Sequence, residues 1–189
     1  MKRAGTAFFA LLLIVLTAAC SDPASKLPRY GAVPHFTLTD SYGQAFDSNV
    51  LKGKVWVVDF IYTNCPGPCP RMTSQMHKVE QKMAKNDNVR FVSFSVDPAR
   101  DTPPVLNDFA QRFGGPTPHW YFLTGAPATL HKLARNVFMV GDLVGVMDHS
   151  TKFVVVDKTG QIRGFYSTFD PQGISSLLDD VNALCRSRS

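Results

Sequence analysis

Short apolar runs alternate with amphipathic stretches along the chain from about residue 33 onward. Residues 55–62 (VWVVDFIY) are apolar apart from Asp59, which is typical of a strand buried on both faces of a sheet. Similar patterns predict further strands at residues 89–96, 120–123, 153–157 and 161–167, and a hairpin at residues 35–39 and 45–46. Helical periodicity and capping residues predict helices over residues 70–84, 102–113, 128–138 and 171–185.

The helix predicted over residues 70–84 places four apolar side chains on one face: Met72, Met76, Val79 and Met83. Met72 and Met76 are also candidate soft metal ligands, but their helical spacing favours a role in the core. Strands that alternate with helices, followed by a hairpin and a last helix, predict an α/β fold. We expect a central mixed β-sheet flanked by helices, with a β-hairpin near the N-terminus.

The first twenty residues carry the pattern of an export signal. Lys2 and Arg3 precede an apolar run over residues 8–16, which is shorter than a membrane-spanning helix requires. The run ends in Leu-Thr-Ala-Ala-Cys, and small residues before a Cys resemble a bacterial lipobox.

This pattern predicts how the chain is organised. We expect a lipoprotein signal peptide over residues 1–19, lipidation of Cys20, a tether over residues 20–32 and a folded domain over residues 33–186. Lipidation would anchor the domain to a bacterial membrane on its periplasmic side. An ordinary cleaved signal, with Cys20 incidental, or an uncleaved anchor would export the rest of the chain equally well.

Composition and charge exclude one class of function. With 44% hydrophobic and 19% charged residues, the chain has the composition of a globular protein with a real core. The formal net charge is +5, and removal of Lys2 and Arg3 leaves 18 basic residues against 15 acidic ones, which is +3. Because the remaining basic residues are scattered, we predict no nucleic-acid partner.

Two of the four cysteines, Cys65 and Cys69, lie close together between a predicted strand and a predicted helix. An exported domain with so few cysteines is not a disulfide scaffold. Pro70 suits the first helical position, so we expect Cys69 at the helix cap, where backbone N–H groups and the helix dipole stabilise a thiolate. The pair fits a redox couple, a metal-binding pair or a structural disulfide, and thiolates are ligands that Cu(I) prefers. Cys185 is interpreted as a stray thiol.

Four segments of the chain are distinctive when taken in order. They are FIYTNCPGPCPRMT (60–73), SVDPARDTP (95–103), WYFLTG (120–125) and DHSTKFVVVDKTG (148–160). Together they resemble the SCO/SenC family of copper proteins, and the resemblance covers about residues 31–181. It implies a thioredoxin-like fold, and it implies that Cys65, Cys69 and His149 bind copper.

His149 is followed by Ser150 and Thr151. The resemblance implies that redox members of thioredoxin-like folds usually carry a proline at this point, which is absent here. An imidazole that faces two thiolates would form a nearly trigonal site suited to Cu(I), and a fourth ligand would accommodate Cu(II). The other four histidines lie in no motif, and we expect them to be ordinary loop or core residues.

Asp97 and Asp101 follow the predicted strand of residues 89–96, at the sheet edge expected to carry the cysteine loop. Two interpretations stand side by side. These carboxylates support the metal ligands, orient a partner or tune the imidazole; alternatively, Asp97 with Pro98 forms a turn and Asp101 supports a helix cap at Thr102.

The resemblance implies a metallochaperone that delivers copper to the dinuclear copper centre of cytochrome c oxidase. Its expected partners are the copper-bearing subunit of the oxidase, an upstream copper donor, a thioredoxin-like reductant and the membrane that holds the lipid anchor. The alternative is an extracytoplasmic thiol-disulfide oxidoreductase that keeps acceptor cysteines reduced, with Cys65 and Cys69 as its redox-active pair. We favour the chaperone, which turns over no substrate, over the enzyme. A peroxidase is disfavoured, since Tyr62 stands where that pattern has Thr.

Overall fold

The computed structural model describes residues 23–140 and 151–187. Its strands are β1 (Gly31–Ala32), β2 (Thr37–Asp40), β3 (Ala45–Asp47), β4 (Val55–Ile61), β5 (Val89–Ser95), β6 (Trp120–Thr124), β7 (Lys152–Val156) and β8 (Gln161–Ser167). Its α-helices are α1 (Pro68–Met83), α2 (Pro103–Arg112), α3 (Pro127–Lys132) and α4 (Pro171–Arg186). None of the helices in these two ranges has the length and apolar character needed to cross a bilayer.

One mixed sheet contains all eight strands of the described ranges, in the order β1-β8-β7-β4-β5-β6-β2-β3. β4, β5 and β6 run parallel to one another, and the other neighbours pair antiparallel. β4 is flanked by β5 and β7, and every one of its residues is buried, which explains its almost entirely apolar sequence. The predicted α/β fold, with a central mixed sheet and an N-terminal hairpin formed by β2 and β3, is confirmed.

Side chains from β4 stabilise a core on each face of the sheet, because successive residues of a strand point to opposite sides. Val57 and Ile61 pack with side chains of α1, α2 and α4 on one face. Trp56 and Phe60 pack on the other face with the β2–β3 hairpin, with α3 and with the turn that follows α3. The loop that leaves β4 therefore starts from a rigid strand.

Each of the four α-helices begins with a proline at its first position, where a backbone N–H would have no helical partner. α1 begins at Pro68, two residues before the expected start, and Gly67 is its N-cap. Met72 and Met76 of α1 are fully buried, which confirms that they belong to the core. α3 is shorter than predicted, because a π-helical turn at Leu133–Val137 replaces its second half.

Residues 23–32, which make up most of the predicted tether, pack against the domain. Within them, β1 pairs with β8 at the edge of the sheet. The guanidinium of Arg163, a residue only 4% exposed, donates to the carbonyl oxygens of Ala24, Leu27 and Pro28 at 2.6, 2.9 and 2.8 Å. It also donates to the carboxylate of Asp157 at 2.8 Å. Because a buried cation needs all its donors satisfied, these contacts fix the N-terminal segment on the domain.

Candidate metal centre

The thiols of Cys65 and Cys69 lie where β4 leads into α1. Cys65 is in the connecting loop and is 6% exposed, whereas Cys69 is in the first turn of α1 and is fully buried. The backbone N–H of Cys69 donates to the sulfur of Cys65, at an N–S distance of 3.4 Å. The first N–H groups of a helix have no partner inside it, so the Cys65 sulfur satisfies one of them. Both thiols are free, as is that of Cys185 in the last turn of α4.

The two thiols differ in acidity. Burial raises the pKa of Cys65, but hydrogen bonds from the Cys69 thiol, from the backbone N–H groups of Cys69 and Gly67 and from Tyr62 together bring it below its ordinary value. Burial raises the pKa of Cys69, and the neighbouring Cys65 and Asp59 raise it further. Cys65 is therefore the better thiolate. The prediction that Cys69 is the stabilised thiolate at the helix cap is wrong, because α1 begins earlier and its free N–H groups serve Cys65.

Tyr62 is a residue of this site that the sequence argument left out. Burial, followed by its hydrogen bond with Cys65, raises the pKa of Tyr62 to about 12. The phenol therefore stays protonated at neutral pH and can donate to the sulfur of Cys65, which helps to lower the pKa of that thiol. Its position at the end of the buried strand, three residues before Cys65, was the available signal.

Asp59 is a second residue that the sequence argument did not place in the site. It is the charged residue of β4 and is fully buried, and neither carboxylate oxygen has a hydrogen-bond partner among the described residues. Burial raises the pKa of Asp59 to about 7, although the hydroxyl of Ser93, its register partner on β5, lies near enough to lower it without completing a hydrogen bond. The same carboxylate raises the pKa of Cys69. A lone acidic residue in an apolar strand was a visible signal.

Asp101 is fully buried and ties together two segments near the thiols. Its carboxylate accepts hydrogen bonds from the hydroxyl of Thr63 at 2.6 Å and from the Thr63 backbone N–H at 3.2 Å. It also accepts from the hydroxyl of Ser95, at the end of β5, at 2.6 Å. Thr102 is the N-cap of α2 without any side-chain capping bond. The carboxylate of Asp101 is thus directed at the loop before Cys65.

Asp97 takes part in a turn next to the same loop. Its carboxylate pairs with the guanidinium of Arg100 at 2.6 Å, and its carbonyl oxygen accepts from the backbone N–H groups of Arg100 and Asp101. The charge of Asp97 also contributes to the raised pKa of Tyr62. Asp97 therefore combines turn chemistry with an electrostatic effect on a neighbour of Cys65.

The predicted third ligand, His149, and the predicted lipidation site, Cys20, lie outside the described residues. β7 begins three residues after His149 and runs antiparallel to β4, with Val154 opposite Val58. The start of β7 and the end of β4 therefore lie at the same edge of the sheet, where the cysteine loop begins. Across residues 23–140 and 151–187, no group of three or more His, Cys, Asp or Glu side chains could hold a metal ion. His149 as a ligand stays a prediction.

A central mixed sheet and a dithiol at a strand-to-helix loop define a thioredoxin-like protein. Residues 25–185 match the model of the SCO1/SenC family. The SCO1 protein homolog of Bacillus subtilis (strain 168) is 32% identical over 178 residues, which cover 91% of this chain and 92% of the relative. The chain belongs to the SCO1/SenC family.

Solved structures of three relatives share the fold. A SCO1/SenC family lipoprotein from Bacillus anthracis str. Ames gives a TM-score of 0.76 at 33% identity, covering 85% of this chain and 98% of that one. BsSco, a member of the Sco family of cytochrome c oxidase assembly proteins in which a disulfide switch was identified, gives 0.74 at 31%, covering 86% and 97%. ScoI of Bradyrhizobium japonicum, with copper bound, gives 0.64 at 30%, covering 79% and 98%.

Proposed function

We propose that this protein is a copper metallochaperone for the dinuclear copper centre of cytochrome c oxidase, with Cys65, Cys69 and His149 as ligands. The observation that carries the proposal is the pair of buried, free thiols held together at the start of α1. Thiolates suit Cu(I), and a relative, the Bradyrhizobium japonicum ScoI, has copper bound. BsSco belongs to a family of cytochrome c oxidase assembly proteins, which supports the proposed acceptor.

The three proposed ligands differ in how readily they reach the protonation state that binds copper. Cys65, whose pKa is lowered, gives up its proton more readily than an ordinary thiol, whereas Cys69, whose pKa is raised, must release its proton to the solvent when copper binds. His149 would complete a site of low coordination number with its neutral imidazole. Such a site leaves room for an incoming thiolate of the acceptor, so copper can pass by ligand exchange. Cu(I) suits three ligands, and Cu(II) would require a fourth.

The unequal thiols also favour a second function, reduction of acceptor cysteines. The Cys65 thiolate would attack an acceptor disulfide, forming a mixed disulfide and releasing one acceptor thiolate. Cys69, after losing its proton, would then attack the sulfur of Cys65 and release the second acceptor thiol. The pair ends as a disulfide, two electrons having passed to the acceptor, and a thioredoxin-like reductant would restore it. BsSco has a disulfide switch, which supports redox chemistry in this family.

The place of action follows from the export signal. We propose that Cys20 carries the lipid and holds the domain on the periplasmic side of a bacterial membrane, where an upstream donor supplies copper. A relative from Bacillus anthracis is a SCO1/SenC family lipoprotein, which supports this location.

A titration of the reduced full-length protein in detergent with Cu(I), against a competing chelator, tests the ligand set. We expect one copper per chain, and we expect His149→Ala to weaken binding by about tenfold or more. His131→Ala is the matched control, because this histidine is exposed on α3, and it should bind like the wild type. Unchanged affinity and absorption spectrum in His149→Ala would show that the third ligand is misassigned.

Transfer to an oxidase fragment separates the two functions. If the protein is a chaperone, copper should reach a fragment whose cysteines are already reduced. If it is a reductase, only the oxidised fragment should be changed, and Cys65→Ser should abolish that reaction without any copper present.

A further inference from the structure

Hydrogen bonds hold three consecutive residues before Cys65: the last residue of β4 and the first two residues of the loop that follows it. The carbonyl of Ile61 accepts from the N–H of Val96 at 2.8 Å, and the carbonyl of Tyr62 accepts from the N–H of Cys65 at 3.3 Å. The third residue, Thr63, is held by the carboxylate of Asp101 through both its hydroxyl and its N–H. Of these three anchors, the one on Thr63 comes from a side chain 38 residues away in sequence.

We propose that Asp101 is the positioning residue of the dithiol turn, the segment of residues 62–69 that follows β4 and ends at Cys69. By holding Thr63, Asp101 keeps the sulfur of Cys65 next to the N–H of Cys69. The proposal deepens the proposed function, since it concerns the same pair of thiols. The side-chain hydrogen bonds of Asp101 go to Thr63 and Ser95 and not to either sulfur, so Asp101 acts through Thr63.

The anchor is rigid because Asp101 cannot leave its donors without loss. A fully buried carboxylate is stable only when hydrogen bonds replace the lost water, and here Thr63 and Ser95 supply those bonds. Ser95 belongs to β5, which pairs with β4 along its whole length. The carboxylate therefore fastens the loop before Cys65 to the end of the neighbouring strand.

The position of the Cys65 sulfur matters for the redox equilibrium. The N–H of Cys69 stabilises the sulfur of Cys65 in the reduced pair, at 3.4 Å. A looser turn would lengthen this bond and remove stabilisation from the reduced form, whereas the disulfide has no thiolate to lose it. Removal of the anchor should therefore favour the disulfide, and the equilibrium constant for its formation should rise.

The experiment measures the equilibrium constant of the Cys65–Cys69 disulfide against glutathione in the full-length protein. We expect Asp101→Asn to raise this constant about tenfold, and Thr63→Val, which removes the hydroxyl donor alone, to raise it about threefold. In the double variant the two effects should not add, because both changes weaken the same link between Asp101 and Thr63. Thr63→Ser keeps the hydroxyl and should restore the wild-type constant.

Asp180→Asn is the matched control for a structural effect. It weakens a hydrogen bond of equal length, between the Tyr166 hydroxyl and Asp180 at 2.6 Å, on α4. This variant should lower the melting temperature and leave the thiol equilibrium unchanged.

Two outcomes overturn the proposal. One is a fall in melting temperature for Asp101→Asn and Thr63→Val with no change in the equilibrium constant. The other is additive effects in the double variant. If Asp101→Asn fails to fold, Thr63→Val against Thr63→Ser decides. Copper titration of the wild type tests the proposed function separately. A protein that binds no copper contradicts the proposed function, whereas the role of Asp101 is still decided by the thiol equilibrium.

Discussion

Two fully buried carboxylates act on the same dithiol turn from opposite kinds of surroundings. Asp101 accepts hydrogen bonds from Thr63 and Ser95, whereas Asp59 has no hydrogen-bond partner among the described residues. Burial raises the pKa of Asp59 to about 7. The comparison shows what donors add to a buried carboxylate: with them Asp101 fastens two segments together, whereas without them the burial of Asp59 lets that side chain change charge near neutral pH.

Removal of the hydrogen-bonded carboxylate should have the largest effect on stability. We expect Asp101→Ala to lower the free energy of unfolding by about 4 kcal/mol at pH 7, because the half-buried donors of Thr63 and the buried hydroxyl of Ser95 lose their acceptor. Urea denaturation measures the loss. Asp101→Asn keeps one acceptor oxygen and should lose about half as much. A loss below about 1 kcal/mol for Asp101→Ala would contradict the comparison.

Removal of the Asp59 carboxylate should instead raise the free energy of unfolding, and this gain should appear only as pH rises. The pKa of Asp59 is about 7 in the folded protein, above its ordinary value of 3.8, so the folded state binds more protons between these values. Wild-type stability should therefore fall as pH rises from about 4 to about 7. Asp59→Asn should gain about 4 kcal/mol on the wild type over this range.

Denaturation at a series of pH values checks the Asp59 prediction. Asp87→Asn removes a carboxylate whose side chain is 88% exposed, and it should follow the wild-type profile. Parallel profiles for Asp59→Asn and the wild type would mean that Asp59 does not change charge in this range.

The two serines of β5 sharpen the comparison with smaller effects. Ser95→Ala removes a donor to Asp101 and should lower the free energy of unfolding by about 1.5 kcal/mol at neutral pH. Ser93→Ala leaves the indole N–H of Trp120 without its acceptor. Its distinctive effect should be on the pH dependence of stability: because Ser93 acts to lower the pKa of Asp59, the pH at which Asp59 ionises should move upward. If Ser93→Ala and Ser95→Ala showed the same dependence of stability on pH, Ser93 would have no particular effect on Asp59.

Much of the fold was readable from local pattern. The apolar run at residues 55–62 is the central strand, and the prolines mark the starts of the helices. The start of α1 was less clear, because Pro68 and Pro70 both suit the first helical position. The earlier start turns the N–H of Cys69 toward Cys65, a consequence that spacing alone could not give.

The chemistry of the site was only partly readable. The close spacing of Cys65 and Cys69 indicated their pairing, but their difference in acidity depends on burial and on neighbours that differ for each sulfur. The link between Thr63 and Asp101 joins residues far apart in sequence, so no local pattern could show it. The spacing of three residues placed Tyr62 near Cys65, whereas the closeness of Asp59 to Cys69 follows only from the packing of β4 against α1.

The contacts of Arg163 limit how far the folded domain can move away from the membrane that would hold its lipid. Its guanidinium holds the carbonyl of Ala24, and the proposed lipid would be carried only four residues earlier, on Cys20. Four residues span at most about 14 Å when fully extended. A domain held at that distance would stay next to the bilayer surface, so the acceptors that it meets would be proteins in or on the same membrane.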